Sequence, residues 1–199
     1  MPHGAQFSIL GVNGGRPFSV NPCLGSQWRA APHPRALYVN SAFNPRISGR
    51  QTPRCRELGR RRAAPERWQQ AYALGCAEAQ YSVGVARSAG VAVPFMWWID
   101  VELENTWDET DLTLNRSMLQ GEIDRLREEG LPVGVYSTSR DWLAIVGQWT
   151  PSGVSGEWVA GQVPSVACAG PGFGGMPVWL VQEPRTWPPP SGYDSNWAC

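Results

Sequence analysis

Residues 95–102 read Phe-Met-Trp-Trp-Ile-Asp-Val-Glu, an apolar run that ends in two carboxylates, Asp100 and Glu102. Strand-like alternation sends Met96, Trp98, Asp100 and Glu102 to one face, and Phe95, Trp97, Ile99 and Val101 to the other. Both faces are apolar until the C-terminal end, the pattern of a parallel strand covered on both sides. Two acids on one face at that end are costly to desolvate unless something pairs or uses them. In a β/α barrel this is the end of a strand where catalytic groups sit. A strand whose last residues simply reach solvent would give the same letters, so the rest of the chain has to decide.

Outward from this run the elements alternate. Before it, residues 66–89 form a long predicted helix with Trp68, Ala71, Tyr72, Gly75, Ala79, Ser82, Val83 and Ala86 on one face, mostly small residues suited to close packing. Upstream, residues 7–12 and 36–40 read as strands flanking a helix over 23–31, with Asn21 and Pro22 at its start. The Asn13-Gly14-Gly15 turn after the first strand lacks the spacing of a phosphate-binding loop. Residues 41–64 read as a loop, in which Arg60-Arg61-Arg62 is a solvated basic run.

After it, residues 112–129 form a helix capped by one of Asp108, Thr110 or Asp111 and stopped by Gly130 and Pro132. Residues 132–136 are a strand and 141–146 a short helix. The last third is poorer in helix, with strands over 157–160 and 178–182 and loops between and after them. Strands alternating with helices predict parallel pairing through right-handed crossovers. A doubly wound sheet and a barrel both fit; acids and aromatics gather after strand ends, and the glycine fingerprint of the former is missing, so the barrel is preferred.

Composition narrows the function. The chain has 199 residues, enough for a single domain, and 17 basic against 17 acidic residues. Zero net charge argues against nucleic acid or an anionic membrane as a partner held by bulk charge. No apolar run is long enough to span a bilayer. Five cysteines without a C-x-x-C pair, and two histidines, disfavour a zinc site. No metal or cofactor is expected. Cysteines in loops and at the terminus suit disulfides in an exported protein. A bridge from Cys55 to Cys76 would pin the long loop to the long helix. One from Cys168 to Cys199 would anchor the terminus, leaving Cys23 free. Eleven tryptophans are unusual, and aromatic faces pack well on sugar rings; Trp107, Trp142 and Trp187 are the candidates, each equally readable as packing in a loop or core. A Ser-His-Asp hydrolase is disfavoured, since only His3 and His33 could serve as base and no G-x-S-x-G elbow exists.

Four blocks in order, Trp97–Glu102, 134–137 (Gly-Val-Tyr-Ser), 179–182 (Trp-Leu-Val-Gln) and 193–196 (Tyr-Asp-Ser-Asn), resemble the motifs of the family 25 glycoside hydrolases. These are lysozymes, N-acetylmuramidases that cut bacterial peptidoglycan. The resemblance implies a modified TIM-type β/α barrel with a helix-poor last third. It implies Glu102 as general acid, Asp100 as the Asp of the D-x-E, Asp194 as a third acid near the end of the last strand, and Tyr136 and Gln182 beside the sugar. The substrate implied is peptidoglycan or a related polysaccharide, and the location extracellular. The family begins with a further strand carrying another Asp, which this chain lacks, so the barrel is expected to be N-terminally incomplete, with the partner of Cys23 upstream. A glycan-binding barrel without catalysis is the alternative.

Overall fold

The computed structural model describes residues 6–184 and 194–199. Seven strands form one sheet in chain order: β1 (Ser8–Gly11), β2 (Arg35–Asn40), β3 (Trp97–Asp100), β4 (Val133–Ser137), β5 (Gly156–Ala160), β6 (Val178–Gln182) and β7 (Asn196–Ala198). The first six are parallel, and β7 runs antiparallel to β6. The sheet curls into a half-barrel whose ends are β1 and β7. The fold is therefore mixed α/β, as the alternation of elements implies.

Alternation in the central strand is obeyed. Trp97, Ile99 and Val101 enter the large core between sheet and helices, with Leu37, Val39, Val133 and Val135 from the neighbouring strands. Met96 and Trp98 face the concave side, with Ala36, Tyr136, Trp158 and Ala160. Trp98 is fully buried because β4 makes room for it: a Cβ on Gly134 would stand 2.2 Å from the Trp98 ring.

Behind the sheet lie α1 (Leu24–Ala30), α2 (Pro53–Arg60), α3 (Glu66–Ser88), α4 (Leu112–Arg127), α5 (Ser139–Val146) and the single turn α6 (Pro164–Ala167). The small residues of α3 do what their spacing implies. A Cβ on Gly75 would meet the Met118 carbonyl at 1.8 Å, and one on Gly121 the Tyr72 carbonyl at 2.1 Å, so α3 and α4 touch backbone to backbone. Asp111 caps α4, its carboxylate accepting from the Thr113 amide.

Two expectations need correction. Residues 41–64 are not all loop: they hold a 3-10 helix (Pro45–Arg50) and α2. Pro53 stands in the first turn of α2, where its missing N–H costs nothing. Thr52 caps that helix by accepting from the Cys55 amide. Residues 164–167, taken as loop, form α6. The structure pairs Cys55 with Cys76 and Cys168 with Cys199, and Cys23 is free and exposed.

Candidate active site

The acids stand at the C-terminal ends of the parallel strands. Asp100 is the last residue of β3, on the concave face, and only 5% exposed. Glu102 follows two residues on, half-buried at the mouth. Burial, then the Glu102 charge and a hydrogen bond to it, raise the Asp100 carboxyl well above the ordinary carboxylate range. Burial also raises Glu102, with the nearby charges of Glu104 and Asp141, against the lowering effect of hydrogen bonds from Asp100 and Tyr136. Burial thus favours the protonated form of both carboxyls; Asp100 lies beneath, and Glu102 is the member that reaches the cleft.

Neighbouring strand ends hold this pair. The Asn40 amide, at the end of β2, donates to Asp100 Oδ2, and the Ser41 N–H donates to the Asp100 carbonyl. Asp100 Oδ1 is buried and receives no hydrogen bond from a protein N–H or hydroxyl donor. The Tyr136 hydroxyl, near the end of β4, donates to Gln182 Oε1 at 2.6 Å and also reaches the Glu102 carboxyl. Its single proton serves one acceptor at a time; rotating the Gln182 amide by half a turn makes that residue the donor and frees the phenol proton for Glu102. Asp141 enters from the N-terminal turn of α5, where its carboxylate accepts from the Leu103 amide.

The sequence-predicted residues divide. Asp100, Glu102, Tyr136 and Gln182 come together. Asp194 is exposed and precedes an antiparallel strand instead of ending a parallel one. It lies at the same end of the sheet, since Gln182 at the end of β6 pairs with Asn196 and the Glu183 amide donates to the Ser195 carbonyl. Trp107 packs partly against the main core and donates its indole N–H to the Glu102 carbonyl at 2.8 Å, so it anchors the Glu102 backbone. Trp142 is 1% exposed, stacked on Trp149, and is a core residue, not a sugar platform. Trp187 and Tyr193 lie outside the described residues.

Pattern reading passed over Asn40 and Asp141, although each stands at a strand end or helix start facing the mouth, which is signal enough in an α/β sheet. It also passed over two buried acids behind the sheet. Glu122 on α4 is fully buried, accepts from Ser41 Oγ at 2.7 Å, and is raised well above the usual range by burial and by Glu78. Glu78 on α3 accepts from the Phe18 amide at 2.6 Å and from Ser82, and burial pushes it up to about 7. Both interrupt otherwise apolar helical stripes, and that interruption is the signal.

The segment carrying this geometry has known relatives. A family model described as "Lysozyme-like protein 1" matches residues 75–158. That span runs from α3 to β5 and contains Asp100, Glu102, Tyr136 and Asp141, but neither Gln182 nor Asp194. The chain is similar there to lysozyme-like proteins. Among curated proteins nothing matches. Among solved structures, an uncharacterized protein of B. stearothermophilus superposes with a TM-score of 0.56 at 16% identity, over 98% of this chain and 84% of that one. That likeness concerns the fold. Among the described residues no group of three or more His, Cys, Asp or Glu side chains is placed to hold a metal ion, and no helix is long and apolar enough to cross a membrane.

Proposed function

We propose that the chain hydrolyses glycosidic bonds of bacterial cell-wall peptidoglycan, as a muramidase of the family 25 type on a modified β/α barrel. The observation that carries this is the placement of two neighbouring desolvated carboxyls, Asp100 and Glu102, at the C-terminal end of a parallel strand, inside the segment similar to lysozyme-like proteins. Glycoside cleavage needs a proton for the leaving oxygen and negative charge near the cation-like sugar centre. Glu102, half-buried at the mouth, delivers the proton. Asp141 and Glu104 face the developing positive charge; water then adds to the sugar carbon as the bond to the leaving oxygen breaks, and the proton that the water loses returns to Glu102, with Asp100 beneath keeping that carboxyl's affinity for it high. Tyr136 and Gln182 orient Glu102. Desolvation is the device that keeps such an acid protonated near neutral pH. Two disulfides support an extracellular location.

The test is release of reducing ends from purified peptidoglycan. Wild type should release them; Glu102→Gln, with an unchanged circular dichroism spectrum, should lower the rate at least a hundredfold, within the range ascribed to a positioned general acid. Undiminished release by that variant would remove Glu102 from the mechanism.

A second reading is a glycan-binding barrel without turnover. It is favoured by one observation: the ends of β1 and β2 present the amides Asn13 and Asn40, not acids, so the acid cluster rests on β3 and the loops beyond it. Retention on peptidoglycan with no product from wild type would select this reading.

A further inference from the structure

A groove lies apart from the acid pair. It has a volume of about 910 Å³ and runs between α1 and α3, closed at its ends by the segments 18–22 and 50–52. Its lining holds two guanidinium groups, Arg29 and Arg50, and no acid at all. In a chain whose 17 basic and 17 acidic residues balance, that is a local excess of positive charge. Among the described residues neither arginine is salt-bridged, although Arg50 lies near enough to the buried Glu78 to lower that carboxyl somewhat.

One wall is aromatic and held in place. Phe18 tilts on Tyr81 with ring centroids 5.7 Å apart, and the Arg50 guanidinium lies 5.8 Å over the Phe18 ring. Phe18 has φ 53°, the left-handed region that a bulky residue rarely occupies. Its amide is fastened to the buried Glu78 carboxyl, which fixes the ring against the groove at the cost of that backbone strain. The opposite floor is the small-residue face of α3, Ala77, Gly84, Val85 and Ala89. A cationic pair, an aromatic wall and a shallow apolar floor together suit a ring bearing a negative substituent: the guanidinium fork takes the anion and the flat surfaces take the C–H face.

We propose that this groove binds an anionic saccharide, a sugar carrying carboxylate or phosphate, at a site separate from Asp100 and Glu102. The site needs no catalysis and stands whether or not the chain cleaves glycan.

The experiment is titration calorimetry of the full chain with three polysaccharides: polygalacturonate for carboxylate, phosphomannan for phosphate, and dextran as the neutral control. At least one anionic polymer should bind and dextran should not. The double variant Arg29→Gln, Arg50→Gln should bind the same polymer at least tenfold more weakly, while Glu102→Gln binds it as wild type does. Which polymer binds identifies the anion. Arg61→Gln with Arg67→Gln, exposed arginines outside the groove, is the charge control and should retain affinity. Binding of neither anionic polymer, dextran binding as strong as theirs, an unaffected Arg29/Arg50 double variant, or an equal loss in the charge control would each overturn the proposal.

Discussion

Glu78 sets a pH dependence that a single side chain can be held to. Its folded value of about 7 stands above the ordinary 4.5, so the folded state prefers the protonated form. An acid raised in this way contributes stability below its unfolded value, and that contribution is lost as pH rises through the folded value. The difference is worth roughly 3 kcal/mol between pH 4.5 and 7.5 at about 1.4 kcal/mol per unit. Urea melts should therefore show the protein less stable at pH 8 than at pH 5, and Glu78→Gln should shrink that difference by most of this amount. A difference unchanged in the variant would show that Glu78 does not carry it. Tyr136 offers a second test at this scale. Its hydrogen bond lowers Glu102, so Tyr136→Phe should raise that carboxyl and move the basic limb of the hydrolysis profile to higher pH, with a reduced rate. A basic limb that stays put or moves down would detach Tyr136 from Glu102.

Between elements, the closest approach is that of α3 to α4. Gly121→Ala places a methyl about where the Tyr72 carbonyl now stands, and no side chain can move aside to relieve it. The helices must separate, at a cost of roughly 1–3 kcal/mol or somewhat more for overpacking of a tight interface. Thermal melts should show a drop of several degrees for Gly121→Ala. Gly84→Ala, on the partner helix α3 and with open space above it, should change little or raise stability slightly. Equal effects at the two positions would mean that the α3–α4 contact is looser than described. The same pair of helices carries Glu78 and Glu122, so separating them also admits water to those acids and should flatten the pH dependence of stability.

For the molecule as a whole, two crosslinks tie what packing leaves loose. Cys55–Cys76 fastens α2 to α3, and Cys168–Cys199 fastens the turn α6 to the end of β7, the edge strand whose Trp197 and Ala198 are exposed. Each closes a loop of 21 or 31 residues and is worth roughly 3 kcal/mol in the chain-entropy account. Cys199→Ser should lower stability by about that amount and speed hydrogen exchange in β6 and β7 while leaving α3 and α4 protected, since the released element lies at the sheet edge. Faster exchange throughout would mean that β7 is part of the cooperative core.

The sequence alone determined that the strands pair in parallel, because apolar runs alternating with amphipathic helices leave few other ways to bury both faces of a sheet. It determined the face shared by Trp98 and Asp100, since strand periodicity is a local property. The cysteine pairing was also within reach, from loop and helix positions. Tertiary structure decided the rest. That α2 is a helix depends on Thr52 accepting from the Cys55 amide, with Pro53 in the first turn, a local competition the prolines obscured. That Trp142 lies in the core and Trp107 braces Glu102 depends on what covers them. Above all, the raised acids Asp100, Glu102, Glu78 and Glu122 are products of desolvation and of the groups packed around them. A carboxylate has one letter in the sequence whether it lies in water or against a buried strand; only packing supplies the dielectric and the partners that decide its charge.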